Sequence, residues 1–178
     1  MFIDDTIAAI ATAPGEGGIG IIRISGSNSL QVAEEIFKSV SGKKISEYNL
    51  RSLIYGDIFD GEKRIDEVLV AYMKGPHSYT GEDVVEISSH GSRYIVERII
   101  SLFRDMGVRM AEAGEFTRRA FLAGRMDLSQ AEAVADIIAA DSRASLTVAA
   151  TQMRGAYSAE LQELRDKLLH ITSLQAFL

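Results

Sequence analysis

Gly15-Glu16-Gly17-Gly18-Ile19-Gly20-Ile21-Ile22-Arg23-Ile24-Ser25 is the stretch on which the fold turns. Its first six residues fit G-x-G-x-x-G, a pattern that cradles a dinucleotide only when a helix opens directly from it, so that the helix N-terminus meets the pyrophosphate. The continuation is β-branched and apolar, the composition of a strand. The stretch therefore predicts a glycine-rich connection between two strands, at residues 6–12 and 19–25. Its glycines let the backbone approach a ligand or a second subunit closely. The phosphate-cradling pattern G-x-x-x-x-G-K-[ST] occurs nowhere in the 178 residues.

Working outward, Ser27 or Asn28 can cap a helix with Leu30, Ala33, Ile36, Phe37 and Val40 on one face and Gly42 at its end. Residues 52–59 and 65–73 flank Asp60-Gly61, the signal of a β-hairpin. Residues 84–89 form a short strand whose alternation puts Val85 and Ile87 on one face and Glu86 and Ser88 on the other. A helix at 92–106 follows, with Tyr94, Ile95, Ile99, Leu102, Phe103 and Met106 as its stripe and Gly107 as its C-cap residue. Residues 108–111 add a last strand. From Glu115 onward there is no proline, and the composition turns to Ala, Leu, Gln, Glu and Arg, which predicts helices to the end. Ser129-Gln130-Ala131-Glu132 reads as a capping box opening a helix with Ala133, Val134, Ile137 and Ile138 on its stripe. Asp141 or Ser142 caps a second, longer helix through Leu146, Ala149, Ala150, Met153, Tyr157, Leu161, Leu164, Leu168 and Ile171. The pattern is an α+β domain followed by an all-α segment. The final residues 174–178 are apolar without a stop signal, so a continuation is expected.

Composition narrows the chemistry. Apolar residues make up 47% and charged residues 25%, close to globular averages, which excludes disordered and fibrous classes. No apolar run reaches the length of a membrane span, and the start, Met1-Phe2-Ile3-Asp4-Asp5, is acidic where a signal peptide is cationic; the expectation is a cytoplasmic protein with no membrane partner. The absence of cysteine removes disulfides, thiolate metal sites and thiol nucleophiles. His77, His90 and His170 lie far apart without metal-ligand spacing, so no metal site is expected. The net charge of −6 is spread along the chain, with no basic footprint for nucleic acid.

Three groups of residues remain as candidates. Glu86 stands opposite the apolar face of its strand. There a carboxylate is either simply solvated or reads a ring with an N–H beside an amino group, the edge shown by pterins and guanine. Arg23 is the only charge in its strand, and either grips a carboxylate or phosphate or forms a structural ion pair. The segment 114–128 carries Arg118, Arg119 and Arg125 with Phe116 and Phe121, either as a binding hinge or as a solvated helix edge with core aromatics. Ser78, Ser88 and Ser89 near His77 and His90 do not make a hydrolase, since the G-x-S-x-G elbow is missing.

Asp5-Thr6-Ile7-Ala8-Ala9-Ile10-Ala11-Thr12 with Pro14-Gly15 and Gly18-Ile19-Gly20-Ile21-Ile22-Arg23-Ile24-Ser25-Gly26 resembles the start of the MnmE (TrmE) family of tRNA-modification GTPases. So do Ser78-Tyr79-Thr80-Gly81-Glu82-Asp83-Val84-Val85-Glu86 with His90-Gly91, then Gly114-Glu115-Phe116-Thr117-Arg118-Arg119-Ala120-Phe121-Leu122, and Asp127-Leu128 with Gln130-Ala131-Glu132-Ala133. Four motifs in the family's order cover nearly the whole chain. The resemblance implies an N-terminal domain at 1–118, related to the folate-binding domain of the glycine-cleavage T-proteins (GcvT-like), and the first part of a helical domain at 119–178. It implies a homodimer that binds a tetrahydrofolate, in the 5-formyl or 5,10-methylene form, through Arg23, Glu86 and Arg125; at this last position the family usually has Lys. It further implies that, with the FAD protein MnmG, the full enzyme adds an aminomethyl-type or carboxymethylaminomethyl group to carbon 5 of the wobble uridine, U34, of tRNAs. The family's G domain, with its GTP, potassium and magnesium sites, lies outside these 178 residues, so neither GTP hydrolysis nor any catalytic residue is carried over. Ala13, Ala123-Gly124-Arg125 and the last residues depart from the family pattern. A dimerisation scaffold that binds no folate and a stand-alone aminomethyltransferase are the alternatives.

Overall fold

The computed structural model describes residues 5–15 and 17–175. The expectations placed on residues 1–4, on Glu16, on 176–178 and on the side chains of Tyr157, Ile171 and Leu174 lie outside what is described. The chain forms two compact units, residues 1–119 and 120–178.

The first unit is a seven-stranded sheet covered on one face by two helices. Its strands are β1 (Ile7–Ile10), β2 (Ile19–Ser25), β3 (Phe37–Ser39), β4 (Leu53–Asp60), β5 (Lys63–Met73), β6 (Val84–His90) and β7 (Arg109–Met110), in the order β3-β4-β5-β6-β2-β1-β7. Every pairing is antiparallel except β1 with β7. The expected hairpin is β4–β5, with Gly61 in the left-handed region at φ 61°. Alternation sends Ile22 and Ile24, Ile54 and Ile58, Val68 and Val70, and Val85 and Ile87 into one core with α1 (Ser29–Ile36) and α2 (Arg93–Asp105).

Glycine makes close packing possible at the turn that decided the fold. The amide of Gly91, just after β6, donates to the carbonyl of Gly18 at 3.3 Å, and a Cβ on Gly91 would come within 2.2 Å of the Gly17 carbonyl oxygen. The glycine-rich segment joins strand to strand and opens no helix.

Four expectations about helices are corrected, the fourth at the start of the second unit. The first helix ends at Ile36 instead of running to Val40: Phe37 turns extended and pairs with Ile58 on β4. Phe37 and Ser39 are buried as alternate strand residues and Val40 is exposed, so the helical spacing of Phe37 was coincidental. In α2, Tyr94 is 69% exposed and Met106 faces solvent, whereas Val96 and Ile100 pack inward. The long final helix is two, broken where Gly155 adopts φ 82°.

Helix α3 (Glu115–Leu122) runs across the division between the units. The second unit contains α4 (Leu128–Ala139), α5 (Arg143–Met153) and α6 (Ala156–Gln175). The capping box of α4 lies two residues before its expected place: Asp127 accepts from the Gln130 amide and the Gln130 side chain accepts from the Asp127 amide, each at 2.9 Å. Ser142 caps α5. Gln130 also donates to the Met153 carbonyl, and Gln152 to that of Ser129, tying the start of α4 to the end of α5. Along α6, Leu161, Leu164, Leu168 and Leu169 are exposed. No helix among the described residues is long and apolar enough to cross a membrane.

Candidate functional site

The face of the sheet away from α1 and α2 carries the candidates. Register lines up Leu53, Ala71, Glu86, Arg23 and Ala9 in one row across β4, β5, β6, β2 and β1. Glu86 and Arg23 are thus direct cross-strand partners. Arg23 Nε donates to Glu86 Oε1 at 2.7 Å, and Nη2 lies 2.7 Å from the same oxygen. Glu86 Oε2 takes no partner among the described residues. Both side chains are about a quarter exposed, so the pair sits half-withdrawn from water with one carboxylate oxygen still available.

Above this pair two sequence motifs converge. Tyr79, from the loop 76–83 between β5 and β6, and Phe116, from the first turn of α3, bring their ring centroids to 5.3 and 5.5 Å from the Arg23 guanidinium carbon. The Tyr79 hydroxyl shares a 2.9 Å hydrogen bond with Thr117 Oγ1. The loop is tied down along its length: Asp83 accepts from the Tyr72 hydroxyl and from the Gly75 amide, and Ser78 donates to the Glu82 carbonyl. Burial, reinforced by the bond to Asp83, pushes the Tyr72 phenol up to about 12.

Arg119 anchors the base of α3. Only 9% exposed, it donates to the backbone oxygen and to Oδ1 of Asp5, to both oxygens of Glu82 and to Glu115. Glu115, 2% exposed, receives a two-pronged contact from Arg109, whose Nε reaches Asp5 Oδ2 at 2.6 Å. Arg109, above all, holds the Glu115 carboxyl down to about 2 against the opposing effect of burial, with the Glu112 amide and Arg119 assisting. The same guanidinium lowers Asp5. Ser25 completes the cluster, donating to Glu82 Oε2 and sharing a hydrogen bond with Thr80, each at 2.7 Å.

The predicted residues fall in different places. Arg23 and Glu86 are brought together. Arg125 belongs to the second unit, where its side chain is exposed and forms no ion pair or hydrogen bond among the described residues. Arg118 is exposed, with Glu112 at 3.3 Å. Sequence reasoning missed Tyr79, Glu82, Arg109 and Glu115 as parts of the site's frame. A signal was available for three of them, since Tyr79 and Glu82 lie within the quoted motif 78–86 and Glu115 within 114–122. His90 pairs through Nδ1 with the buried Asp66 at 2.8 Å, and Asp66 also accepts from the His90 amide, a contact that closes the end of β6 on β5. No group of three or more metal-ligating side chains occurs among the described residues.

A mixed sheet with helices on one face, carrying a carboxylate–guanidinium pair on the other and leading into a helical segment, defines an α+β domain joined to a helical unit. Residues 6–125 match the family described as "GTP-binding protein TrmE N-terminus", and residues 128–177 match "MnmE helical domain". The chain belongs to the MnmE (TrmE) family. It is 65% identical over 171 residues to the tRNA modification GTPase MnmE of Clostridioides difficile (strain 630), covering 96% of this chain and 37% of that protein. It is 54% identical over 171 residues to the protein of the same name from Alkaliphilus metalliredigens (strain QYMF), covering 95% and 37%. With that of Flavobacterium psychrophilum it shares 53% over 174 residues, covering 98% and 38%. The chain therefore spans a little over a third of the length of these curated relatives.

Proposed function

We propose that this chain binds a reduced folate, in the 5-formyl or 5,10-methylene form, on the open face of its sheet, and that it self-associates there. The observation that carries the reading is the Glu86 carboxylate: half-buried, oriented by Arg23, with Oε2 available to accept from a ring N–H or amino group. That donor set fits the 2-amino-4-oxo edge of a pterin. Arg23 and Arg125 are the accompanying folate-site residues that the family pattern supplies. When bound, the folate would supply a one-carbon unit; the chain's own residues bind and orient it. The domain organisation proposed is a GcvT-like domain at 1–118 followed by part of a helical domain at 119–178. The wider activity proposed is modification of the wobble uridine of tRNAs in the cytoplasm, together with MnmG and the family's GTP-, potassium- and magnesium-dependent domain.

Titration calorimetry of 5-formyltetrahydrofolate against the wild-type chain and Glu86→Ala tests the reading. A hydrogen bond to a charged group contributes about 1.5–3 kcal/mol, so the variant should bind at least about tenfold more weakly. Equal affinities would remove Glu86 from the role. A pure dimerisation scaffold is the second reading, favoured by the exposed apolar residues on the same face, Ile19, Leu53, Tyr55 and Leu69. A dimer in sedimentation with no folate binding by the wild-type chain would select it.

A further inference from the structure

The Arg23–Glu86 pair is built more rigidly than a surface ion pair needs to be. Exposed Arg–carboxylate pairs contribute little because both side chains remain free to move. Here the guanidinium lies over two rings that come from distant parts of the chain, Tyr79 and Phe116. Their carriers are cross-tied twice. Tyr79 and Thr117 share a hydrogen bond between loop and helix, and two residues further along α3 the buried Arg119 joins Glu82 of that same loop. Both Arg23 nitrogens near Glu86 lie 2.7 Å from a single oxygen, Oε1, to which Nε donates. A planar fork resting on aromatic faces keeps its plane far better than an ammonium on a flexible stem.

We propose that Tyr79 and Phe116 form an aromatic seat for Arg23, and that Arg23 acts as a positioning residue. It holds Glu86 by Oε1, so that Oε2 alone is presented to the ligand. The proposal rests on the reading of Glu86 as the folate acceptor, and it changes the role of Arg23 from gripping ligand to orienting the group that grips it. It also specifies ligand chemistry. A carboxylate whose charge is already matched by a guanidinium gains little from a cation, and selects a neutral N–H or amino donor instead.

The test combines calorimetry with proton–nitrogen NMR of the arginine side chains in the full chain. In the wild type the Arg23 Nε–H signal should be slow to exchange and displaced by the ring currents. Phe116→Leu and Tyr79→Leu should each abolish part of that displacement and weaken 5-formyltetrahydrofolate binding about tenfold, the order of a partly desolvated cation–π contact. Phe116→Tyr should restore both signal and affinity, which separates the seat from general packing. Wild-type affinity in both leucine variants overturns the positioning role. If the wild type binds no folate, the folate reading fails. The seat is then decided by the Nε–H signal alone, and a signal unchanged in Phe116→Leu overturns it.

Discussion

Arg119 and Arg125 are six residues apart and carry the same group, yet one is buried among three carboxylates and the other is exposed. Burying a guanidinium is tolerable only when its donors are satisfied, and Asp5, Glu82 and Glu115 do this for Arg119. Glu115 depends equally on its cations. Its carboxyl lies near 2 in the folded chain against an ordinary 4.5, so between those values the folded state binds fewer protons than the unfolded one. Stability therefore rises with pH through that window, is complete above it and is lost as pH falls toward 2. The contribution at neutral pH is on the order of 3 kcal/mol. Glu115→Gln should cost about that much at pH 7 and visibly less at pH 3, as measured by urea unfolding at both values. An equal cost at the two pH values would show that the ionised carboxylate is not what stabilises the cluster.

Elements were legible where a local rule acts alone. The alternation of β2 and β6, the Asp60-Gly61 hairpin and the Gly107 cap follow from residue type and spacing, and each is where the sequence puts it. The failures occur where a neighbour distant in the chain intervenes. Phe37 leaves the helix because β4 offers it strand hydrogen bonds. Gly91 shows the same dependence on a distant partner. Nothing in its own strand or helix demands glycine; the Gly17 backbone does. Gly91→Ala should destabilise the chain by about 3 kcal/mol through overpacking, seen as a lower urea midpoint at unchanged slope. A midpoint like that of the wild type would mean that the turn at 17–20 yields at little cost.

At the scale of the whole molecule the sheet has two unlike faces. One is sealed by α1 and α2. The other leaves Leu53 68% and Ile19 64% exposed, with Tyr55 and Leu69 adjacent in register. Exposed apolar side chains gathered on one sheet face favour association. If the proposed self-association uses this face, replacing Leu69 by Asp shifts the sedimentation equilibrium from dimer toward monomer by at least about tenfold, a penalty of the order expected for a charge buried without a partner. A dimer of unchanged strength would locate the contact elsewhere. The division into units has a local counterpart in composition, where strand-forming residues give way near Gly114 to a helical vocabulary.

Sequence alone determined which way the residues of β2 and β6 face: alternation is a property of the chain and its immediate neighbours, and it placed Glu86 and Arg23 each on the side of its strand away from the core. The ordered motifs also carried the family. Only the tertiary structure decided that these two stand opposite each other, that Tyr79 and Phe116 meet over Arg23, and that Arg119 is buried. Register and long-range ion pairing depend on the packing of the whole sheet. A one-residue slip would preserve the chemical pattern within each strand while separating Arg23 from Glu86.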